Sequence, residues 1–224
     1  MSALDAVVWD CDGTLVDSEP IGIAVWAELL ARFGCETDAA DWVHVVGRPF
    51  DAFYEYFSQR CLLPSSSDLM DEYLADLYPA LRASLRAFDD AVPAVDSIAA
   101  RRVPMAVASS SHRGRLDLML ELTGLAGHFA VTVAGDEVGR GKPDPDIFER
   151  AAASLGVAPG RCLAVEDTVP GVVAARAAGM TVVGVARGAR RASELDGAHV
   201  VVPGLDGDQL VRWLDGHVSI GSES

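Results

Sequence analysis

Apolar residues along the chain follow a strand-like spacing first, then a helical spacing, and then an alternation of the two. The run from Ala3 to Trp9 is short and apolar and ends in Asp-Cys-Asp-Gly, which predicts a buried strand followed by a turn. Between Glu19 and about Arg86 the apolar residues recur at helical spacing, as at Ile23, Trp26, Leu29, Leu30 and Phe33. This section predicts a helical subdomain of roughly four helices.

Downstream of Asp90 the pattern alternates between strand-like apolar runs and amphipathic stretches. The predicted strands cover residues 103–108, 129–134, 162–165, 181–186 and 199–202. The predicted helices cover residues 116–122, 144–155, 172–178 and 208–214. Repeated strand–helix units predict an α/β fold, with a doubly wound, Rossmann-like parallel sheet that is covered by helices on both faces.

The two kinds of pattern divide the chain into parts. Residues 1–16 and 90–217 are predicted to form the α/β core domain, and residues 17–89 the small α-helical cap domain inserted in it. Residues 218–224 are rich in Ser and Gly and predict a flexible tail. Hinges near Asp17 and near residues 87–91 would let the cap close over the sheet and exclude water.

Polar side chains follow four of the predicted strands, at the edge where parallel sheets bind ligands. Asp10 and Asp12 follow the first strand two positions apart, so an extended chain directs both to one face and Cys11 to the other. The later strand ends carry Ser109 and Ser110, then Lys142, and then Glu166 and Asp167. Each acidic pair alone is also typical of a solvated turn or a helix N-terminus, but the matching strand ends favour a site.

Four carboxylates at one edge would repel each other unless a hard cation lay among them. Mg²⁺ prefers oxygen ligands and often bridges to a substrate phosphate, which makes it the expected cofactor. Lys142 is the only lysine among 18 basic residues. Codon bias in a GC-rich genome explains the missing lysines, but it leaves open why this one is retained.

Composition and charge exclude several classes of protein. The formal net charge of −15 argues against nucleic-acid binding, which needs clustered positive charge. No apolar run approaches the roughly 20 residues of a membrane helix, and residues 1–5 show no signal-peptide pattern. The four cysteines have no CxxC spacing, which argues against a zinc site. We expect a cytoplasmic monomer with reduced thiols and with neither a nucleic-acid nor a membrane partner.

Four motifs together resemble the haloacid dehalogenase-like hydrolase superfamily. They are, in chain order, DCDGT from Asp10, the serine Ser109 that closes an apolar strand, GKPDP around Lys142, and VEDT around Glu166. The resemblance spans nearly the whole chain. The string DSEP from Asp17, the helical insert and GKPDPDIF are similar to the branch that contains β-phosphoglucomutase and small sugar-phosphate phosphatases.

The resemblance implies how the acidic residues would act. Asp10 would attack phosphorus and form an aspartyl-phosphate. Asp12 would protonate the leaving alkoxide and then deprotonate the water that hydrolyses this intermediate. The implied ligands of Mg²⁺ are the Asp10 side chain, the Asp12 backbone carbonyl, Asp167, and Glu166 acting directly or through water.

The same resemblance implies how the substrate would be held. Ser109, the backbone N–H of Ser110 and Lys142 would bind the oxygens of the transferring phosphoryl group. Arg48 in the cap matches a substrate-facing arginine of the family, which would contact a second polar or anionic group of the substrate. An ordinary surface arginine remains the alternative at this position.

Differences between this chain and related enzymes of the superfamily indicate which of their activities it has. Dehalogenases lack the second aspartate, which Asp12 supplies here, and phosphonatases need a cap lysine, which residues 17–89 lack. Members like β-phosphoglucomutase carry a histidine where this chain has Gly22, which favours hydrolysis. We therefore expect a Mg²⁺-dependent phosphatase of a small phosphorylated metabolite, such as a sugar phosphate. A phosphosugar mutase and a non-catalytic metabolite-binding regulator remain the alternatives.

Overall fold

The computed structural model describes residues 3–45, 50–187, 192–195 and 197–216. The chain divides into two compact units, one from Met1–Asp17 with Arg86–Ser224 and the other from Ser18–Leu85. None of the described helices combines the length and the apolar character that a membrane span requires.

The described part of the larger unit is built on a six-stranded parallel sheet. Its strands are β1 Ala6–Trp9, β2 Met105–Ala108, β3 Val131–Val133, β4 Cys162–Glu166, β5 Thr181–Val185 and β6 Val200–Val202, in the spatial order β3-β2-β1-β4-β5-β6. Every residue of β1, β2 and β4 is buried, as expected of central strands covered on both faces. The strand order confirms the predicted Rossmann-like class. It reverses between β1 and β4, where such sheets bind ligands.

The smaller unit is helical, as the apolar spacing predicts. Its described helices are α1 Glu19–Arg32, α2 Ala39–Val45, α3 Phe50–Ser58 and α4 Ser66–Ser84. Trp26 of α1 stacks on Tyr73 of α4 with ring centroids 3.9 Å apart, and Phe53 and Phe57 of α3 lie 4.9 Å apart. Ser65 caps α4 by accepting a hydrogen bond from the Asp68 N–H at 3.2 Å.

The larger unit adds the helices α5 Ala91–Ala100, α6 Arg113–Leu122, α7 Asp146–Leu155, α8 Val169–Ala177 and α9 Gly207–Leu214. Helix α5 lies outside the predicted elements, although Ala91, Ala94, Val95 and Ile98 are buried at helical spacing. Helix α8 begins at Val169, ahead of its predicted start at residue 172. The reason is a cap, since the Thr168 hydroxyl accepts a hydrogen bond from the Gly171 N–H at 3.1 Å.

Candidate active site

Asp10 directly follows β1, in the middle of the carboxyl edge of the sheet. Its backbone N–H donates to the Val165 carbonyl at 2.9 Å, which extends the pairing of β1 with β4. Because β2 and β4 flank β1, Ser109 and Glu166 lie at the strand ends on either side of Asp10. Asp10 is 5% exposed and Ser109 is 1% exposed. Polar groups from three adjacent strands are thus buried together.

The two oxygens of the Asp10 carboxylate have different surroundings. Oδ1 accepts a hydrogen bond from Lys142 Nζ at 2.5 Å, while Oδ2 is buried and has no hydrogen-bond partner among the described residues. Burial raises the pKa of Asp10 well above its usual value; Lys142 opposes this rise, and Glu166 and Asp167 add to it. A buried carboxylate oxygen without a partner is costly, so Oδ2 is poised to meet a cation or an electrophile.

Lys142 joins Asp10 to Glu166. Its Nζ also donates to Glu166 Oε1 at 2.8 Å and lies 5.0 Å from the centre of the Phe148 ring, and its side chain is 5% exposed. Burial alone would lower the pKa of Lys142, but the charges of Asp10 and Glu166 outweigh it and raise the pKa. The ammonium therefore stays charged between two carboxylates.

Glu166 is the last residue of β4 and is completely buried. While Lys142 binds Oε1, Oε2 accepts hydrogen bonds from the Thr168 N–H at 2.5 Å and the Thr168 hydroxyl at 2.9 Å. Gly171 of α8 makes room for this carboxylate, because a Cβ there would lie 1.6 Å from Glu166 Oε1. The carboxylate is therefore fixed by its partners on one side and by a glycine on the other.

Asp167 occupies the space beside the turn that follows β1. The Thr14 hydroxyl donates to Asp167 Oδ1 at 3.4 Å, and Asp167 is 1% exposed. Gly13 has a φ of +83°, and a Cβ there would lie 2.2 Å from Asp167 Oδ2. Both its backbone angle and its contact with Asp167 thus require glycine at position 13.

The three buried acids form a group that could hold a metal ion. Carboxylate oxygens of Asp10, Glu166 and Asp167 all lie within 4.8 Å of one another. Given bonds of about 2.1 Å, ligands on opposite sides of Mg²⁺ lie roughly 4.2 Å apart and adjacent ligands roughly 3 Å apart, so the three carboxylates would have to draw together to bind one ion directly. The unpartnered Asp10 Oδ2 fits the same ion. Both Glu166 oxygens already accept hydrogen bonds, which suits a contact through water. The ligand expected from Asp12 is its backbone carbonyl, and its side chain is not part of this group.

The side chain of Asp12 contacts residues that follow β2. Oδ1 accepts a hydrogen bond from Arg115 Nη2 at 2.7 Å, and Oδ2 accepts from Ser111 Oγ at 2.8 Å and Ser109 Oγ at 3.5 Å. Sequence reasoning placed Ser109 in the site but missed Ser111 and Arg115. Arg115 could have been predicted if the search for polar residues after each strand had been extended into the first turn of α6.

Three other residues considered from the sequence differ in what the structure shows of them. Ser110 is exposed beside Ser109, and Arg48 lies outside the described residues. Cys11 is fully buried, and burial together with the charges of Asp12 and Asp10 raises the pKa of its thiol well above the usual value. Since the thiolate is the reactive form, Cys11 is inert between the two aspartates.

Comparison with known proteins agrees with this geometry. Residues 4–179 match the model of the haloacid dehalogenase-like hydrolase family, which confirms the family predicted from the four motifs. The chain is 34% identical over 182 residues to the fructose-1-phosphate phosphatase YqaB of Escherichia coli, covering 80% of this chain and 95% of the relative. It is 30% identical over 215 residues to the bifunctional riboflavin kinase/FMN phosphatase of Arabidopsis thaliana, covering 92% of this chain but only 55% of that longer protein.

A solved structure is similar over the whole chain. The crystal structure of a HAD family hydrolase from Deinococcus radiodurans R1, with bound phosphate and sodium, superposes with a TM-score of 0.80. The two sequences are 31% identical, and the match covers 100% of both chains.

Proposed function

Because the chain belongs to the haloacid dehalogenase-like hydrolase family, we propose that it is a phosphatase that hydrolyses the phosphate ester of a small metabolite. The observation that carries this proposal is the buried group of Asp10, Lys142, Glu166 and Asp167 at the sheet edge. Two relatives are named as phosphatases of fructose 1-phosphate and of FMN, which favours a small ester, such as a sugar phosphate, as the substrate.

Asp10 is the proposed nucleophile. Lys142 orients Oδ1, which is proposed to attack phosphorus in line, and Oδ2, which accepts no hydrogen bond from the described residues, is left to face the metal ion. The ester bond to the leaving oxygen breaks as the aspartyl-phosphate forms. Mg²⁺, held by Asp10, Asp167, the Asp12 carbonyl and Glu166, would supply charge neutralisation at the phosphoryl oxygens.

Three further groups are proposed to bind the transferring phosphoryl group. Lys142 Nζ supplies a positive charge beside the nucleophile, and its nearness to Asp10 supports this role. Ser109 Oγ and the backbone N–H of Ser110 follow β2, the strand next to β1. Donors fixed in a buried site stabilise transition-state charge without having to reorganise.

Asp12 is proposed to move the protons. Its carboxyl group would give a proton to the leaving alkoxide oxygen as the ester bond breaks. The resulting carboxylate would take a proton from the water that attacks the aspartyl-phosphate, after which the bond to Asp10 breaks and inorganic phosphate leaves. The Asp12 carboxylate is not a member of the group of three buried acids and is bound by Arg115, which supports a role in proton transfer for this side chain.

Gly22 supports hydrolysis over transfer within a sugar phosphate. A Cβ on Gly22 would lie 3.0 Å from the Tyr73 hydroxyl oxygen, and Tyr73 is 8% exposed. A histidine at position 22, as members like β-phosphoglucomutase have, would require Tyr73 to move. The chain thus lacks the histidine, and the Tyr73 hydroxyl crowds the place where its Cβ would lie.

The smaller unit, Ser18–Leu85, is proposed to act as the cap that shields the reaction from water. Its helical construction from α1 to α4 supports this assignment. Arg48 stays the proposed contact for a second polar group of the substrate. A monomer in the cytoplasm likewise stays a prediction.

We expect phosphate release to require Mg²⁺. With EDTA present, kcat/KM for p-nitrophenyl phosphate is expected to fall by roughly 100-fold or more, because the phosphoryl charge then lacks a divalent cation. Excess Mg²⁺ should restore the rate, as measured by free phosphate. Mg²⁺ should also raise the Tm of the wild type but not that of Asp167→Asn, because the variant loses a ligand of the folded state.

Two outcomes would contradict the proposal. Phosphate release that EDTA leaves unchanged would exclude the metal-assisted mechanism. Conversion of glucose 1-phosphate into an isomer without free phosphate would identify a mutase instead. A screen of sugar phosphates, polyol phosphates and phosphoglycolate then defines the substrate.

A further inference from the structure

The carboxylate of Asp12 is held by side chains from one short segment. Arg115 Nη2 lies 2.7 Å from Oδ1, and Ser111 Oγ lies 2.8 Å from Oδ2. Both donors come from the end of β2 and the first turn of α6. The backbone of this turn is itself fixed, since the Arg115 N–H donates to the His112 carbonyl at 3.0 Å.

We propose that Arg115 is a positioning residue that aims the Asp12 carboxyl group at the leaving oxygen of the substrate. This inference rests on the proposed phosphatase function and adds a residue that none of the four motifs contains. A charge-assisted hydrogen bond of this length is among the stronger side-chain contacts. Arg115 and Asp12 are 24% and 29% exposed at their side chains, so water only partly competes with the pair.

The backbone around Asp12 does not fix the orientation of its carboxyl group, so a side-chain partner must do so. The turn is fixed by the Gly13 N–H, which donates to the Val16 carbonyl at 2.9 Å, but this bond does not set the side-chain torsions. Ser111 and Ser109 both bind Oδ2 through hydroxyl groups, which can rotate. The planar guanidinium of Arg115 adds a fixed direction, and its charge balances the negative charge that Asp12 acquires when it gives up its proton.

This role predicts a dependence on the leaving group. Phenolate is a much stronger base than p-nitrophenolate, so phenyl phosphate needs a well-aimed proton donor and p-nitrophenyl phosphate hardly needs one. The two esters have nearly the same shape and would bind alike. Their kcat/KM values report the step in which the leaving group departs. A defect in aiming Asp12 should therefore slow phenyl phosphate more.

The test compares Arg115→Met with the wild type on both esters. We expect kcat/KM to fall at least about tenfold more for phenyl phosphate than for p-nitrophenyl phosphate, which is part of the roughly 10²–10⁴-fold that a well-placed general acid contributes. Asp12→Asn should show the same selective loss, and Arg115→Lys should recover part of it because a cation remains. Arg101→Met is the matched control, since Arg101 pairs with Asp215 at 2.7 Å elsewhere in the unit.

The outcomes separate the inference from the function on which it rests. A wild type without turnover of either ester would overturn the proposed function, and the inference with it. An active wild type with equal losses on both esters in Arg115→Met would overturn the inference alone. A raised KM on both esters with an unchanged kcat would likewise overturn it, because Arg115 would then bind phosphate and not aim Asp12.

Discussion

Asp10→Asn is expected to abolish phosphate release, with kcat falling by roughly 10⁴-fold or more, because an amide cannot attack phosphorus as a carboxylate does. The variant should nevertheless stay folded. Burial and the neighbouring acids raise the pKa of Asp10, which means that its negative charge destabilises the folded state. Without added metal, the neutral amide is therefore expected to leave the Tm unchanged or to raise it. Release of inorganic phosphate and thermal unfolding measure the two effects separately.

Asp5→Asn is the matched control for this substitution. Asp5 precedes β1, at the opposite end of the strand from Asp10, and pairs with Arg161 at the surface. Its loss should leave kcat unchanged. An Asp10→Asn variant within about tenfold of the wild-type kcat would exclude Asp10 as the nucleophile.

Gly171→Ala is expected to damage stability and activity together. The new Cβ would lie 1.6 Å from Glu166 Oε1, so Glu166 must leave its place and give up hydrogen bonds to Thr168 and Lys142. Overpacking of this kind costs about 3 kcal/mol of unfolding free energy. We expect kcat/KM to fall by roughly 100-fold as well, since Lys142 loses its contact with Glu166 and the group of three buried acids loses one of its members. Urea denaturation and phosphate release measure these losses.

The double variant Gly171→Ala with Glu166→Ala isolates the cause. Removing the Glu166 carboxylate relieves the overlap, so the double variant should regain stability while it remains inactive. Gly127→Ala is the control, because a Cβ at Gly127 would meet nothing within 4 Å. A Gly171→Ala variant as stable as Gly127→Ala would show that the buried carboxylate can shift freely, against the packing described.

The centre of the candidate site could be predicted from sequence because it follows from local rules. A parallel sheet brings the carboxyl ends of β1, β2 and β4 to one edge, so the chain positions of Asp10, Ser109 and Glu166 suffice to place them together. The exact strand starts could not be predicted. The predicted strand begins at Ala3, but β1 begins at Ala6, and the charged Asp5 pairs with Arg161 instead of continuing the strand.

The partners of Asp12 depend on three-dimensional placement that no local pattern encodes. Arg115 reaches Asp12 only because of the direction in which α6 leaves β2, which tertiary packing decides. Helix α5 was not predicted because of a single residue within it, Pro93. Pro93 interrupts its apolar spacing and is usually a breaker, yet in the first turn of a helix it removes an N–H that has no partner within the helix.

Lys142 gives the chain an unusual chemical surface. It is the only lysine, and its side chain is 5% exposed, so reagents that acylate amines meet no accessible lysine on the folded protein. Labelling at position 142 would then report each opening of the sheet edge, without any engineered probe. Timed acylation followed by mass spectrometry would thus measure the rate of local opening at this edge of the sheet through a single residue. Acetylation or ubiquitination of a lysine would have to wait for the same opening.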